Sequence, residues 1–164
     1  MSLLKPHPLW TTAESNPLKV AMATVQAVML SGRYRCGSLT RHWSSSSSGF
    51  CELSSACNEI VEDLSHILQR CPALNIFRSK LLDFTINYAS HLPFHIQDLL
   101  VRKCSPYYQG FCGFVLDCTN DSEVISAIQT YGHAISYHLF AVTRVWAYVL
   151  HRERLKILGR WYVP

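Results

Sequence analysis

At 164 residues and 18.7 kDa the chain has the length of one ordinary domain. Hydrophobic residues make up 49% and charged residues 16%, which excludes a disordered polymer and supplies enough apolar surface for a core. Fifteen Lys+Arg against eleven Asp+Glu leave +4, compatible with a polyanionic partner without requiring one, and seven cysteines, an odd number, argue against a fully paired secreted disulfide framework. Residues 1–15 show no periodicity and no apolar run long enough for a signal peptide, so they read as a disordered leader or the stump of something larger. Asn16-Pro17 then offers an Asx cap with proline at the first helical position, and Gly32 lies where that helix would stop. A basic and aromatic stretch completes this first unit, 16–43. The five serines from Ser44 to Ser48 lie in a loop, 44–49, too polar to pack.

Beyond the loop, Ile60, Val61, Leu64, Ile67 and Leu68 recur at helical spacing up to Pro72. Residues 75–90 and 94–103 read as two more helices. In the last third Val124, Ile128, Tyr131, Ile135, His138, Val142, Val145 and Val149 follow steps of three and four, an apolar seam with Asn120 or Asp121 as its cap. One unbroken helix to Leu158 would be roughly 55 Å long at about 1.5 Å per residue, too long for a small domain, so a break is expected near Gly132. The apolar stretch at 134–150 is short and contains Arg144, a buried helix and not a membrane span. The expected fold is mainly α: a small metal-stabilised helical module at 50–72 followed by a helical bundle over 73–161.

The densest chemistry is CELSSACNEIVEDLSHILQRC, in which Cys51, Cys57, His66 and Cys71 form C-x5-C-x8-H-x4-C. Three thiolates and one imidazole are the donor set of a tetrahedral zinc ion, with Zn–S near 2.3 Å and Zn–N near 2.0–2.1 Å. The four donors fill every position, which makes one structural zinc ion the expected cofactor and leaves no place for a reactive water. Five residues of regular α-helix would rotate Cys71 about 140° from His66. Pro72 relieves this by pushing Cys71 out of the α region. Two alternatives stay open: buried cysteines acting as small hydrophobes, and a ligand set drawing on Cys36 and His42. Cys36, Cys104, Cys112 and Cys118 otherwise read as core or surface thiols.

MLSGRYRCGSLTRHWS, GFCELSSAC, EDLSHILQRCPAL and RVWAYVLHRERLKILGRW, in this order, resemble the C-terminal zinc-binding region of reverse transcriptases from non-LTR (LINE-type) retrotransposons. The resemblance spans about Val20 to Trp161. It implies Cys51, Cys57, His66 and Cys71 as metal ligands, engagement of template or element RNA, and the remainder of a reverse transcriptase as partner. The chain departs from a whole enzyme of that kind. It has no adjacent Asp-Asp pair to hold two catalytic metal ions, no nuclease carboxylate motif and no nucleophile elbow, so catalysis is not expected.

Arg33, Tyr34, Arg35, Arg41, His42 and Trp43 combine cations with rings that can stack on unpaired bases. The competing reading puts Tyr34 and Trp43 in the core and pairs the arginines with Glu59, Glu62 and Asp63. Arg152, Lys156 and Arg160 form a second basic row on the final helix, equally readable as a solvated face. The sequence thus leads to an intracellular, nuclear or cytoplasmic zinc-stabilised module that binds RNA or single-stranded DNA. A protein-interaction module is the alternative.

Overall fold

The structure, a computed structural model, describes residues 7–42, 45 and 48–160. Its first element is a four-residue helix, α1 (Pro8–Thr11), with Leu9 and the following Ala13 buried. Residues 7–13 are thus ordered and anchored by Leu9, Thr12 and Ala13, unlike the disordered leader expected over 1–15, whose residues 1–6 lie outside the described residues. The cause is distant in sequence. Arg144 Nη2 donates to the Thr12 carbonyl at 3.1 Å, and the His7 ring meets Phe140 edge-on at 5.8 Å. Helix α2 (Pro17–Leu30) starts where the sequence places it, with Asn16 Oδ1 accepting from Leu18 N at 3.0 Å and Lys19 N at 3.1 Å. A short helix, α3 (Gly37–Thr40), follows the GRYR segment.

The stretch from 60 to 63, expected to be helical, is not. Phe50 and Val61 form an antiparallel bridge, flanked by Cys51 N to Ile60 O at 2.8 Å and Glu62 N to Gly49 O at 3.1 Å. This hairpin-like closure leaves Ile60 and Val61 exposed, so their apolar spacing did not mark a buried helix face. Helix begins only at Leu64 and continues as a π turn, His66–Arg70. Beyond Pro72 come α4 (Asn75–Ala89), α5 (Phe94–Lys103), α6 (Phe111–Leu116), α7 (Ser122–Tyr131) and α8 (Ala134–Ile157). Asp121 caps α7 through its Oδ1, and Gly132 at φ +89° breaks α7 from α8 as expected.

Helix α8 is the axis of the fold and touches α1, α2, α4, α6, α7 and the π turn. The single apolar seam drawn from periodicity is therefore too narrow. Tyr131 is exposed, whereas Leu139, Phe140, Val142, Trp146, Ala147 and Leu150 are all fully buried around α8. Trp146 meets Phe111 edge-on at 5.1 Å and donates through Nε1 to Thr85 Oγ1 at 2.9 Å. One apolar core runs from Leu9 to Leu150 and includes Cys51, Cys57 and Cys71, so the cysteine segment and the helical bundle share it.

A buried ion pair joins the two. Glu62 and Arg154 are 3% and 5% exposed; Arg154 Nη2 donates to Glu62 Oε1 and its Nε to Oε2 at 3.2 Å. Glu62 Oε1 also accepts from Gly37 N at 2.9 Å, and the Glu62 carbonyl accepts from Ser38 N at 2.9 Å. Gly37 has no room for a side chain: a Cβ there would lie 2.8 Å from the Gly49 carbonyl oxygen and 3.1 Å from Glu62 Cβ. Replacing Arg154 by Met leaves Glu62 charged and buried, and urea denaturation should show a loss of about 3–5 kcal/mol. Pairing that change with Glu62→Leu should recover much of the loss.

Candidate metal centre

The ligand positions follow from the local backbone. Ser54 caps a single 3-10 turn, Ser55–Cys57, that turns the Cys57 side chain inward, and the Phe50–Val61 bridge sets Cys51 beside it. Asp63 Oδ1 accepts from His66 N at 2.6 Å and begins the turn that carries the imidazole. Cys71 N donates to the His66 carbonyl at 2.7 Å, a hydrogen bond spanning five residues. That wider turn brings His66 and Cys71 to one side, as regular α-helix does not. Pro72 contributes as expected: Cys71 is extended, at φ −60° and ψ 118°.

All four donors are buried, and their ligand atoms lie within 4.8 Å of one another. The Sγ atom of Cys71 is 3.8 Å from that of Cys51 and 3.7 Å from that of Cys57. Thiolates about 2.3 Å from a tetrahedral ion are separated by about 3.8 Å, whereas a disulfide brings sulfurs to about 2.05 Å. The cysteines are free thiols at the former spacing. His66 Nε2 is buried with no hydrogen-bond partner among the described residues, a position that costs free energy unless something accepts its lone pair. Burial, with help from the Arg70 charge, pushes the His66 pKa down and so favours the neutral imidazole that binds metals. Cys51, Cys57, His66 and Cys71 thus form a buried site that fits a metal ion.

The surroundings add a cation. Arg78 of α4 is 3% exposed and donates through Nη2 to the Cys71 carbonyl. Burial above all pushes its pKa down, and the groups that oppose this are the nearby thiols of Cys71, Cys112 and Cys57, with no carboxylate beside it among the described residues. A buried guanidinium without an acid is costly beside neutral thiols and well placed beside thiolates. Three thiolates around a divalent ion would carry one net negative charge, which Arg78 is placed to balance. Nothing in its sequence neighbourhood marks Arg78 for this position; the contact comes from the fold of α4 back over the π turn.

The alternative ligands are elsewhere. Cys36 Sγ lies 3.1 Å from Ser38 Oγ, and His42 is exposed. Cys104 and Cys118 are core thiols, their pKa values driven far up by burial.

The residues expected to contact nucleic acid divide. Arg33, Arg35, Arg41 and His42 are exposed, while Trp43 lies outside the described residues. Tyr34 corrects the expectation, because its ring is 5% exposed and cannot receive a base. Its hydroxyl meets His151 Nδ1 at 2.9 Å, its face lies 5.7 Å from the Arg154 guanidinium carbon, and burial first of all raises its pKa to about 12. Arg33 and Arg35 line a cavity of about 280 Å³ with His151 and Arg154. The second basic row is partly neutralised, since Arg152 and Lys156 both reach Glu153 Oε1 at 2.9 Å.

Among the described residues no helix is long and apolar enough to cross a membrane. Comparison with protein-family models, curated proteins and solved structures finds no match.

The centre has a pH signature with opposite signs in its two states. Burial raises the pKa of Cys51, Cys57 and Cys71 above the ordinary thiol value. In the metal-free protein the unfolded thiols therefore ionise first, and stability should fall as pH rises through 9.0 and above. The loaded protein needs the thiolates, so its stability should fall instead as pH drops and protons displace the metal. Thermal melts across pH with and without a chelator should show these crossing trends.

Proposed function

We propose that the chain is a zinc-stabilised, catalytically inert module that binds single-stranded nucleic acid, related to the C-terminal region of a non-LTR reverse transcriptase. The observation that carries the metal part is the closed Cys51–Cys57–His66–Cys71 shell with its tetrahedral sulfur spacing and unpartnered imidazole nitrogen. Three soft thiolates with one imidazole favour zinc over magnesium or calcium, and a complete shell supports a structural role. The nucleic-acid part is supported by the exposed Arg33, Arg35, Arg41 and His42. Their segment is tied to the metal loop through Gly37 N and Ser38 N on Glu62, so an ordered centre holds these cations in fixed relation.

A protein-interaction role has its own support. Leu18, Val20, Val28 and Leu30 expose apolar surface along α2. Salt separates the two, because phosphate contacts make affinity fall steeply as ionic strength rises.

Elemental analysis of the purified protein should give about one zinc per chain, and Cys57→Ser or His66→Ala should abolish it. Structural zinc contributes on the order of 10 kcal/mol to the folding of small modules, so chelation should lower the melting temperature sharply and weaken residues 50–72 most. Replacing Arg33, Arg35 and Arg41 together should weaken single-stranded RNA binding and flatten its salt dependence by up to about three counterions. Unchanged affinity and slope in a folded triple variant would transfer support to the protein-interaction role. Primer-extension assays with magnesium should detect no nucleotide incorporation.

A further inference from the structure

The cavity of about 280 Å³ beside the Glu62–Arg154 pair is walled by Val28 of α2 and Leu155 of α8. Tyr34 and Arg154, both buried, form its floor, while Arg33, Arg35 and Val28 are exposed at its mouth. The volume lies just under the roughly 300–1,000 Å³ of sites for drug-sized ligands, which suits a single flat ring.

The polar groups around this space donate. No acidic residue lines the cavity. The side chains of Arg33 and Arg35 form no ion pair or hydrogen bond among the described residues, whereas Arg70, Arg102, Arg152 and Arg154 are all paired with acids. Tyr34 fixes a further donor. Its hydroxyl has one partner among the described residues, His151 Nδ1 at 2.9 Å, and burial keeps the phenol protonated by raising its pKa to about 12. Burial, with the Arg154 charge, pushes the His151 pKa down, so the imidazole is neutral. With Nδ1 accepting from Tyr34, the single ring proton lies on Nε2. That Nε2 has no partner among the described residues and, unlike His66 Nε2, is not sealed off, so its surface opens on the cavity that His151 lines.

A ligand for a cavity of donors must bring acceptors. Guanine presents O6 and N7 side by side on one edge, where adenine sets a donating amino group beside N7. Cytosine holds its adjacent acceptors against the glycosidic bond. Guanidinium groups also match phosphate oxygens. We infer that this cavity is a guanine subsite for single-stranded nucleic acid: the base enters between Val28 and Leu155 and turns O6 and N7 to His151 Nε2 and one free guanidinium group, and its phosphate takes the other. Tyr34, covered by Arg154, sets the imidazole and does not stack. The inference rests on the nucleic-acid reading and gives it a base preference.

The test uses the metal-loaded full chain and fluorescein-labelled oligouridylates with one central guanosine, adenosine, cytidine or 7-deazaguanosine, followed by anisotropy at low salt. Guanosine should bind roughly tenfold more tightly than adenosine or cytidine. The 7-deaza base, which lacks N7, should lose most of that gain. Val28→Trp fills the cavity from an exposed position and should bring the guanosine and adenosine oligonucleotides to equal affinity, with zinc content and circular dichroism unchanged. His151→Phe keeps a ring without the donor and should cut the preference to roughly threefold. Equal affinity for guanosine and adenosine in the parent protein, or a preference that survives Val28→Trp, would overturn the subsite. The wider reading then stands if the Arg33/Arg35/Arg41 variant loses oligouridylate affinity. If the parent protein binds no oligonucleotide, both fail. Should Val28→Trp not fold, the 7-deazaguanosine comparison decides, because it alters the ligand alone: undiminished affinity rejects the subsite.

Discussion

The arrangement turns on one charged contact taken out of water, Glu62 with Arg154. Burying either charge alone costs several kcal/mol, so the two sides of the fold must arrive together. Around it three stretches far apart in the chain are brought into register. Gly37 N and Ser38 N hang from Glu62, the Phe50–Val61 bridge leads into it, and Arg154 carries Tyr34 on its guanidinium face. The cysteine loop is therefore no appendage. Its orientation is fixed by the last helix, ninety-two residues further along the chain.

The donor shell and the ion pair solve different problems. The centre gathers three buried thiols, an imidazole nitrogen and a buried guanidinium that have, among the described residues, neither a partner for the nitrogen nor an acid for the guanidinium, an assembly that apolar packing alone does not explain. A divalent ion would resolve all three at once: the thiols would become ligands, the lone pair would be used and Arg78 would gain a counter-charge. Small buried cysteines would explain the burial but neither the bare Nε2 nor the buried cation.

What the sequence made legible was local. Asn16 and Pro17, Asp121, Gly132 and the ten residues of α5 each announce themselves within a few positions, because capping, helix breaking and amphipathic spacing are short-range effects. The donor set was legible for the same reason, with all four ligands falling within twenty-one residues. The failures are long-range. Tyr34 looked like a stacking ring until α8 covered it with His151 and Arg154. Residues 7–13 looked unstructured because the groups that hold His7 and Thr12, Phe140 and Arg144, lie far along the chain. Ile60 and Val61 counted toward a helix in a tally of apolar spacing, whereas the bridge to Phe50 decided their conformation.

The π turn also bears on how such a centre tolerates change in length. In regular α-helix the fourth residue on, not the fifth, shares a face with the first. A chain lacking one residue among Ile67, Leu68, Gln69 and Arg70 would thus bring His66 and the following cysteine together on an ordinary helix. The effect of the extra residue falls on the outer surface, where the wider loop lets Gln69 reach the backbone at Pro106 and Tyr108 while His66 and Cys71 still face inward. Single-residue deletion at this turn would be expected to spare the centre and disconnect it from the segment that follows α5.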